Sequence, residues 1–184
     1  MRGNRWPAVF ALVILLAASC SGGDRNASGT RCPKPRGLIS IGEPIPGSCE
    51  LQRFEGGLLR LEDLKGKPAV INFWATWCTF CIDEMPAIEE ATVPVRNRVA
   101  IIGADLLSVD GETRDAAESF AKKTGVTYDL VYDKGGILFG NFSGQLLLPV
   151  TIFVDADGIV AHRQFGPLTE NAMTAMLSKY LDVR

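Results

Sequence analysis

The sequence predicts one α/β domain, a central mixed β-sheet flanked by helices on both faces. Three observations carry this. The apolar runs Ala69–Ala75, Val99–Asp105 and Val150–Asp155 are rich in β-branched and aromatic residues, as strands buried on both faces of a sheet are. Segments with apolar residues at helical spacing alternate with these runs. Asp157-Gly158, directly after the third run, is a hairpin signal, so at least one strand returns antiparallel. The 184 residues suit one such domain with appendages. No internal repeat and no second domain is visible.

In chain order, Leu51–Phe54 and Leu58–Arg60 flank Gly56-Gly57 and predict a small N-terminal β-hairpin. Glu62–Pro68 is a turn, and Ala69–Ala75 is the first long strand. Phe80 to Thr92 places Cys81, Ile82, Met85 and Ile88 at helical spacing, with Pro86 expected to kink the helix. After the Val99–Asp105 strand, Glu112–Lys123 is amphipathic, with Ala116, Ala117 and Phe120 on one side and Gly125 as its C-cap. Tyr128–Tyr132 is a short strand and Gly136–Asn141 a brief helix. Ile159–Phe165 pairs back on Val150–Asp155. Thr169 caps a last helix whose stripe of Ala172, Met173, Met176, Leu177, Tyr180 and Leu181 is core packing.

The composition is 47% hydrophobic and 22% charged, which excludes a disordered charged tail. A formal charge of −2 argues against nucleic-acid binding driven by a positive field. Five cysteines are too few for a disulfide-built mini-protein, and odd in number.

Residues 1–19 read as an export signal. Arg2 and Arg5 precede an apolar run from Ala8 to Ala18, too short to cross a bilayer as a helix. Leu16-Ala17-Ala18-Ser19-Cys20 resembles a bacterial lipobox, although the leucine lies one position early. Cys20 is then the lipidated N-terminus, and loss of Arg2 and Arg5 takes the formal charge from −2 to −4. The expected location is the extracytoplasmic face of the bacterial cell membrane, held by the lipid anchor. Residues 20–37, rich in Ser, Gly, Arg, Lys and Pro, are expected to be a flexible tether, and 38–184 the domain.

The chemistry sits in Trp74-Ala-Thr-Trp-Cys78-Thr-Phe-Cys81, at the junction of a buried strand and a helix start. Cys78 at the helix N-terminus meets unsatisfied N–H groups and the positive end of the dipole, which favour a thiolate. Cys81, one turn on, can close a small disulfide and resolve a mixed one. A structural zinc needs two more ligands. The chain has one histidine, His162, and no second Cys-x-x-Cys, so no metal and no cofactor is expected.

This segment resembles the active site of the thioredoxin superfamily, and more narrowly of the TlpA/ResA-like extracytoplasmic thiol–disulfide oxidoreductases. The resemblance runs from about Ile41 to Leu181. It includes Leu64-Lys-Gly-Lys-Pro68, Asp83-Glu-Met-Pro86, Phe120-Ala-Lys-Lys-Thr-Gly125, Leu148-Pro-Val-Thr-Ile-Phe-Val-Asp155 and Gly166-Pro-Leu-Thr169. It implies a thioredoxin-like fold with a TlpA-type insertion. Pro149 matches the family's cis-proline, with Leu148 exposing its backbone to a substrate strand beside Trp77. Glu84 matches a glutamate near the thiols, where burial raises a carboxyl pKa and lets it exchange protons. Asn72 stands where thioredoxins carry a buried aspartate, which shifts proton handling toward Glu84. Thr79-Phe80 is neither the Gly-Pro of thioredoxins nor the Pro-His of strongly oxidising relatives. The resemblance implies a reductant, with exported thiol proteins such as apocytochrome c as partners and a membrane thiol–disulfide protein as electron donor.

Cys32 and Cys49, 17 apart, are read as a structural disulfide that pins the tether to the first hairpin. Two free thiols, a mixed disulfide with a partner, or a relay feeding Cys78 are the alternatives. Two other functions compete. A peroxiredoxin-type peroxidase wants a proline shortly before its cysteine, and Trp74-Ala-Thr-Trp has none. A copper-delivery protein uses two cysteines, usually spaced one residue wider, and a distant histidine, whereas His162 reads as a strand residue.

Overall fold

The computed structural model describes residues 30–34 and 37–184. The export signal, Cys20 and residues 21–29 of the expected tether lie outside the described residues. Seven strands form one sheet: β1 (Glu50–Arg53), β2 (Leu58–Arg60), β3 (Ala69–Trp74), β4 (Ala100–Asp105), β5 (Asp129–Tyr132), β6 (Val150–Val154) and β7 (Val160–Phe165), in the spatial order β2-β1-β5-β4-β3-β6-β7. β3, β4 and β5 run parallel, while β6, β7 and the β1–β2 hairpin are antiparallel to their neighbours. The mixed sheet with its N-terminal hairpin is the arrangement expected from the sequence.

Every residue of β3 is buried, because both faces of the sheet are covered. Strand alternation then decides what each side chain meets. Ile71 and Phe73 join Ile102, Phe139, Phe142 and Ile152 in one core. Val70 and Trp74 join a second core with Cys81, Met85, Met173 and Leu177. That second core lies under three helices, α1 (Thr79–Thr92), α2 (Arg114–Thr124) and α3 (Glu170–Leu181). The first is covered by two 3-10 turns, Lys134–Gly136 and Phe139–Asn141, where the sequence predicts one brief helix over 136–141. Asp133 organises that turn: its carboxylate accepts the N–H groups of Leu138 (2.9 Å) and Phe139 (2.7 Å).

α1 runs without a break through Pro86. α2 starts at Arg114, not at Glu112, because the Thr113 hydroxyl accepts the Ala116 N–H as N-cap. Glu112 is thereby freed for another partner. Gly125 closes α2 in the left-handed conformation, with φ of 70°.

The chain joins the sheet ahead of Leu38. The Thr30 hydroxyl donates to the Tyr132 carbonyl (3.0 Å), and Arg31 exchanges backbone hydrogen bonds with Glu50 (2.9 and 2.8 Å). Cys32 and Cys49 are paired, with their Cα atoms 4.1 Å apart.

Gly103 lies beside Asn72 in the β3–β4 register, at the middle of the sheet. A Cβ there would come within 2.6 Å of Leu130 Cδ2 and 2.9 Å of the Tyr128 ring. Overpacking a filled core costs about 1–3 kcal/mol. Gly103→Ala is expected to lower the denaturant midpoint accordingly without changing the unfolding slope. A midpoint equal to wild type would show that Leu130 repacks freely.

Candidate active site

The strand-to-helix junction places the cysteine pair. β3 ends at Trp74, and Cys78 is the N-cap of α1, with φ −81° and ψ 100°. Its Sγ accepts the Cys81 N–H at 3.2 Å. This hydrogen bond and the helix dipole both stabilise negative charge on that sulfur once it is reduced. In the structure Cys78 and Cys81 are joined, with S–S 2.10 Å and Cα–Cα 5.4 Å. Cys81 is fully buried, and Cys78 retains a 5% exposed edge. Cys78 is thus the more exposed member of the pair and Cys81 the shielded one.

Around the pair lies an apolar surface. Trp77 and Phe80 are exposed beside it. The Leu148–Pro149 peptide is cis. Leu148 packs against both cores, and the Pro149 carbonyl is taken by the Gly166 N–H.

Glu84 lies one turn beyond Cys81, on the same side of α1. It is buried, with one oxygen accepting Asn72 Nδ2 (2.9 Å) and the other the Leu168 N–H (3.1 Å). Burial pushes its carboxyl up to about 7, against the lowering effect of those two donors. Asn72 also donates to Thr151 Oγ1 (3.0 Å), and its own carbonyl oxygen has no protein partner. The position that lacks the thioredoxin aspartate thus still serves the carboxyl, as a donor to Glu84.

The sequence reading missed a second acidic corner. Asp105, at the end of β4, is fully buried with neither oxygen hydrogen-bonded. Burial raises its carboxyl to about 8, reinforced by the negative charges of Glu112 and Asp133. Glu112, also buried, accepts the Thr76 N–H (2.8 Å) and the Thr76 hydroxyl (2.8 and 3.0 Å). An aspartate ending an apolar run was the available signal for Asp105. Nothing local ties Glu112 to Thr76, 36 residues earlier.

His162 stacks on Tyr180 at 4.0 Å, packed between β7 and α3. Among the described residues no group of three or more His, Cys, Asp or Glu side chains is placed to hold a metal ion.

The AhpC/TSA family profile matches residues 41–163. ResA of Bacillus thuringiensis (strain Al Hakam), named a thiol-disulfide oxidoreductase, is 30% identical over 97% of this chain and 98% of that protein. The chain belongs to the AhpC/TSA family, as a ResA-like thiol–disulfide oxidoreductase. Two solved structures agree with this. The dsbF structure from MTB, described in mixed oxidized and reduced forms, has a TM-score of 0.64 at 26% identity, covering 74% of this chain and 98% of that one. StoA of Bacillus subtilis, 20% identical, shares the fold, with a TM-score of 0.60 over 68% of this chain and 92% of that one. The sheet, the helices and the order of elements of this ResA-like chain are those of the thioredoxin-like disulfide oxidoreductases.

Proposed function

We propose that the protein is a lipid-anchored, extracytoplasmic thiol–disulfide oxidoreductase that reduces disulfides of exported proteins. The observation that carries the reading is the Cys78–Cys81 pair at the N-cap of α1, with Cys78 keeping a small exposed edge and Cys81 fully enclosed. In the reduced enzyme the Cys78 thiolate attacks a substrate disulfide. A mixed disulfide forms at Cys78 and one substrate thiolate leaves. Glu84 accepts the Cys81 proton, and the Cys81 sulfur attacks Cys78 Sγ. The second substrate thiolate then leaves, and two electrons have passed from enzyme to substrate. A membrane thiol–disulfide protein returns the enzyme to the dithiol by the reverse sequence.

Trp77, Leu148 and Pro149 form the substrate platform, and a protein thiol such as that of apocytochrome c suits an open apolar surface. Cys20 carries the lipid, and residues 21–29 lead to the domain. Cys32–Cys49 fixes the entry of the chain to the start of β1, where Cys49 is fully buried.

The direction of transfer is tested by the equilibrium of Cys78–Cys81 with glutathione. A reduction potential near −270 mV fits a reductant and one near −120 mV an oxidant. The anchor is tested by mass spectrometry of the membrane-extracted protein, which is expected to begin at Cys20 with a diacylglyceryl mass. Cys32→Ser with Cys49→Ser is expected to lower stability by roughly 3 kcal/mol, the loop-closure value for a bridge of this span. Chemical denaturation measures it, and an unchanged midpoint would remove the structural role.

A further inference from the structure

The loop between β4 and α2, residues 106–113, holds the segment that leads into Cys78. The Leu106 N–H donates to the Trp74 carbonyl (3.0 Å), and Trp77 Nε1 reaches the Val109 carbonyl (3.4 Å). Between them Glu112 takes both donors of Thr76. Three of the four residues that precede Cys78 are therefore tied to one loop.

That loop is itself constrained. Val109 N–H donates to Leu106, Glu112 N–H to Val109 and Ser108 N–H to Glu112, at 2.9 to 3.1 Å. Ser108 (φ 67°) and Asp110 (φ 48°) take the left-handed conformation, uncommon for residues with a side chain. Strained backbone of this kind persists where the surroundings over-determine it, often beside functional sites.

Burying a carboxylate needs compensation by strong donors. Glu112 finds it in Thr76, whose N–H would otherwise lack a partner at the turn before the helix. The adjacent charges do not compete for that bond. Burial disfavours a charge on Asp105, Asp133 is occupied by Leu138 and Phe139, and the Arg114 guanidinium lies over the Tyr132 ring and donates to Gln52. Neither sulfur touches Glu112, and the exchange reaction above makes no use of it.

We propose that Glu112 is a positioning residue for thiol–disulfide exchange: by clamping Thr76 it holds the Trp74–Cys78 turn so that Cys78 stays at the α1 N-cap. The proposal rests on the reading of Cys78 as the nucleophile. Misplacing a reacting group by a fraction of an ångström is enough to change rates severalfold. The hydroxyl clamp thus sets both the fraction of Cys78 thiolate and the stability of the disulfide.

The test uses the full-length reduced protein in detergent and compares wild type, Thr76→Val, Thr76→Ser, Glu112→Gln and the Thr76→Val/Glu112→Gln double variant. Two quantities are read: the pH dependence of Cys78 alkylation by iodoacetamide, and the equilibrium of the pair with glutathione. Thr76→Val is expected to slow alkylation at pH 7 by threefold or more and to shift the glutathione equilibrium by a similar factor, where tenfold corresponds to about 30 mV. Thr76→Ser restores both. In the Glu112→Gln background, where the amide oxygen is an uncharged and weaker acceptor for the same hydroxyl, Thr76→Val adds a smaller change than in wild type. The proposal fails if Thr76→Val lowers thermal stability while both quantities stay within twofold of wild type, or if its effect is the same in both backgrounds. Should Glu112→Gln not fold, the comparison of Thr76→Val with Thr76→Ser decides alone. Cys78→Ser, assayed in parallel, separates the two levels: its retention of activity would remove the nucleophile assignment itself.

Discussion

Cys78→Ser is expected to reduce insulin disulfides no faster than the uncatalysed background, with the fold intact by circular dichroism. Of the two sulfurs, the one at the N-cap belongs to the residue with an exposed edge and has the Cys81 N–H aimed at it. Serine in its place can still accept the Cys81 N–H, so the helix cap survives while the nucleophile does not. Cys81→Ser has the opposite signature. The first attack proceeds, resolution does not, and the mixed disulfide accumulates as a covalent adduct that mass spectrometry detects and reductant removes. Equal activity of Cys78→Ser and wild type would overturn the assignment. Accumulation of the adduct in Cys78→Ser instead of Cys81→Ser would exchange the roles of the two sulfurs.

Glu84→Gln is expected to slow turnover by at least tenfold near neutral pH and to stabilise the oxidised protein at alkaline pH. Both effects follow from the same burial. The Glu84 carboxyl titrates near 7 when folded, against about 4.5 when unfolded. The folded state therefore binds this proton more tightly than the unfolded state. Its contribution is complete below pH 4.5 and declines as pH rises through 7. Above pH 8 the buried charge costs on the order of 3 kcal/mol, from about 1.4 kcal/mol per pKa unit. Glutamine carries no such charge. The Asn72 carbonyl oxygen, without a partner in the native protein, can turn to accept the new amide, and the Gln oxygen can still accept the Leu168 N–H. The melting temperature of oxidised Glu84→Gln should thus exceed that of wild type at pH 8, and the difference should vanish at pH 4. Coincident stability curves across that range would show that Glu84 is not held at a raised pKa. Unchanged turnover would show that another group takes the Cys81 proton.

Glu84 and Asp105, two of the buried carboxyls of the site, differ in their partners. Glu84 meets two donors, has its carboxyl pushed up to about 7 by burial and lies on α1 one turn from Cys81. Asp105 meets none and holds its proton. Of these two, Glu84 is the one that sits a turn from Cys81, and the proposed proton exchange is assigned to it on that geometry.

Much of this was legible along the chain. Continuous apolar runs identified β3, β4 and β6, since a strand buried on both faces cannot alternate with polar residues. The Asp-Gly turn gave the antiparallel return of β7. The cysteine pair was recognisable from its spacing at a strand-to-helix junction, and Glu84 and Pro149 from the resemblance of the segments around them to the thioredoxin superfamily. Local pattern gave less at the ends of helices. Glu112 resembles a helical residue by composition, and only the competition with the Thr113 hydroxyl excludes it from α2. Likewise the segment 134–141 has helical spacing, but Asp133 binds its N–H groups and holds it in 3-10 turns.

By itself, then, the sequence determined the class of fold and the setting of the Cys78–Cys81 pair, because periodicity and short spacings are properties of the chain, while Glu84 was reached through the resemblance to a family. Tertiary structure decided what Asn72 donates to, that Asp105 is left without a partner, and that Glu112 grips Thr76. Each of these depends on two segments far apart in sequence meeting in one place, and on how much water is excluded where they meet. Burial sets the charge states, and burial exists only once the sheet and its helices have closed on one another.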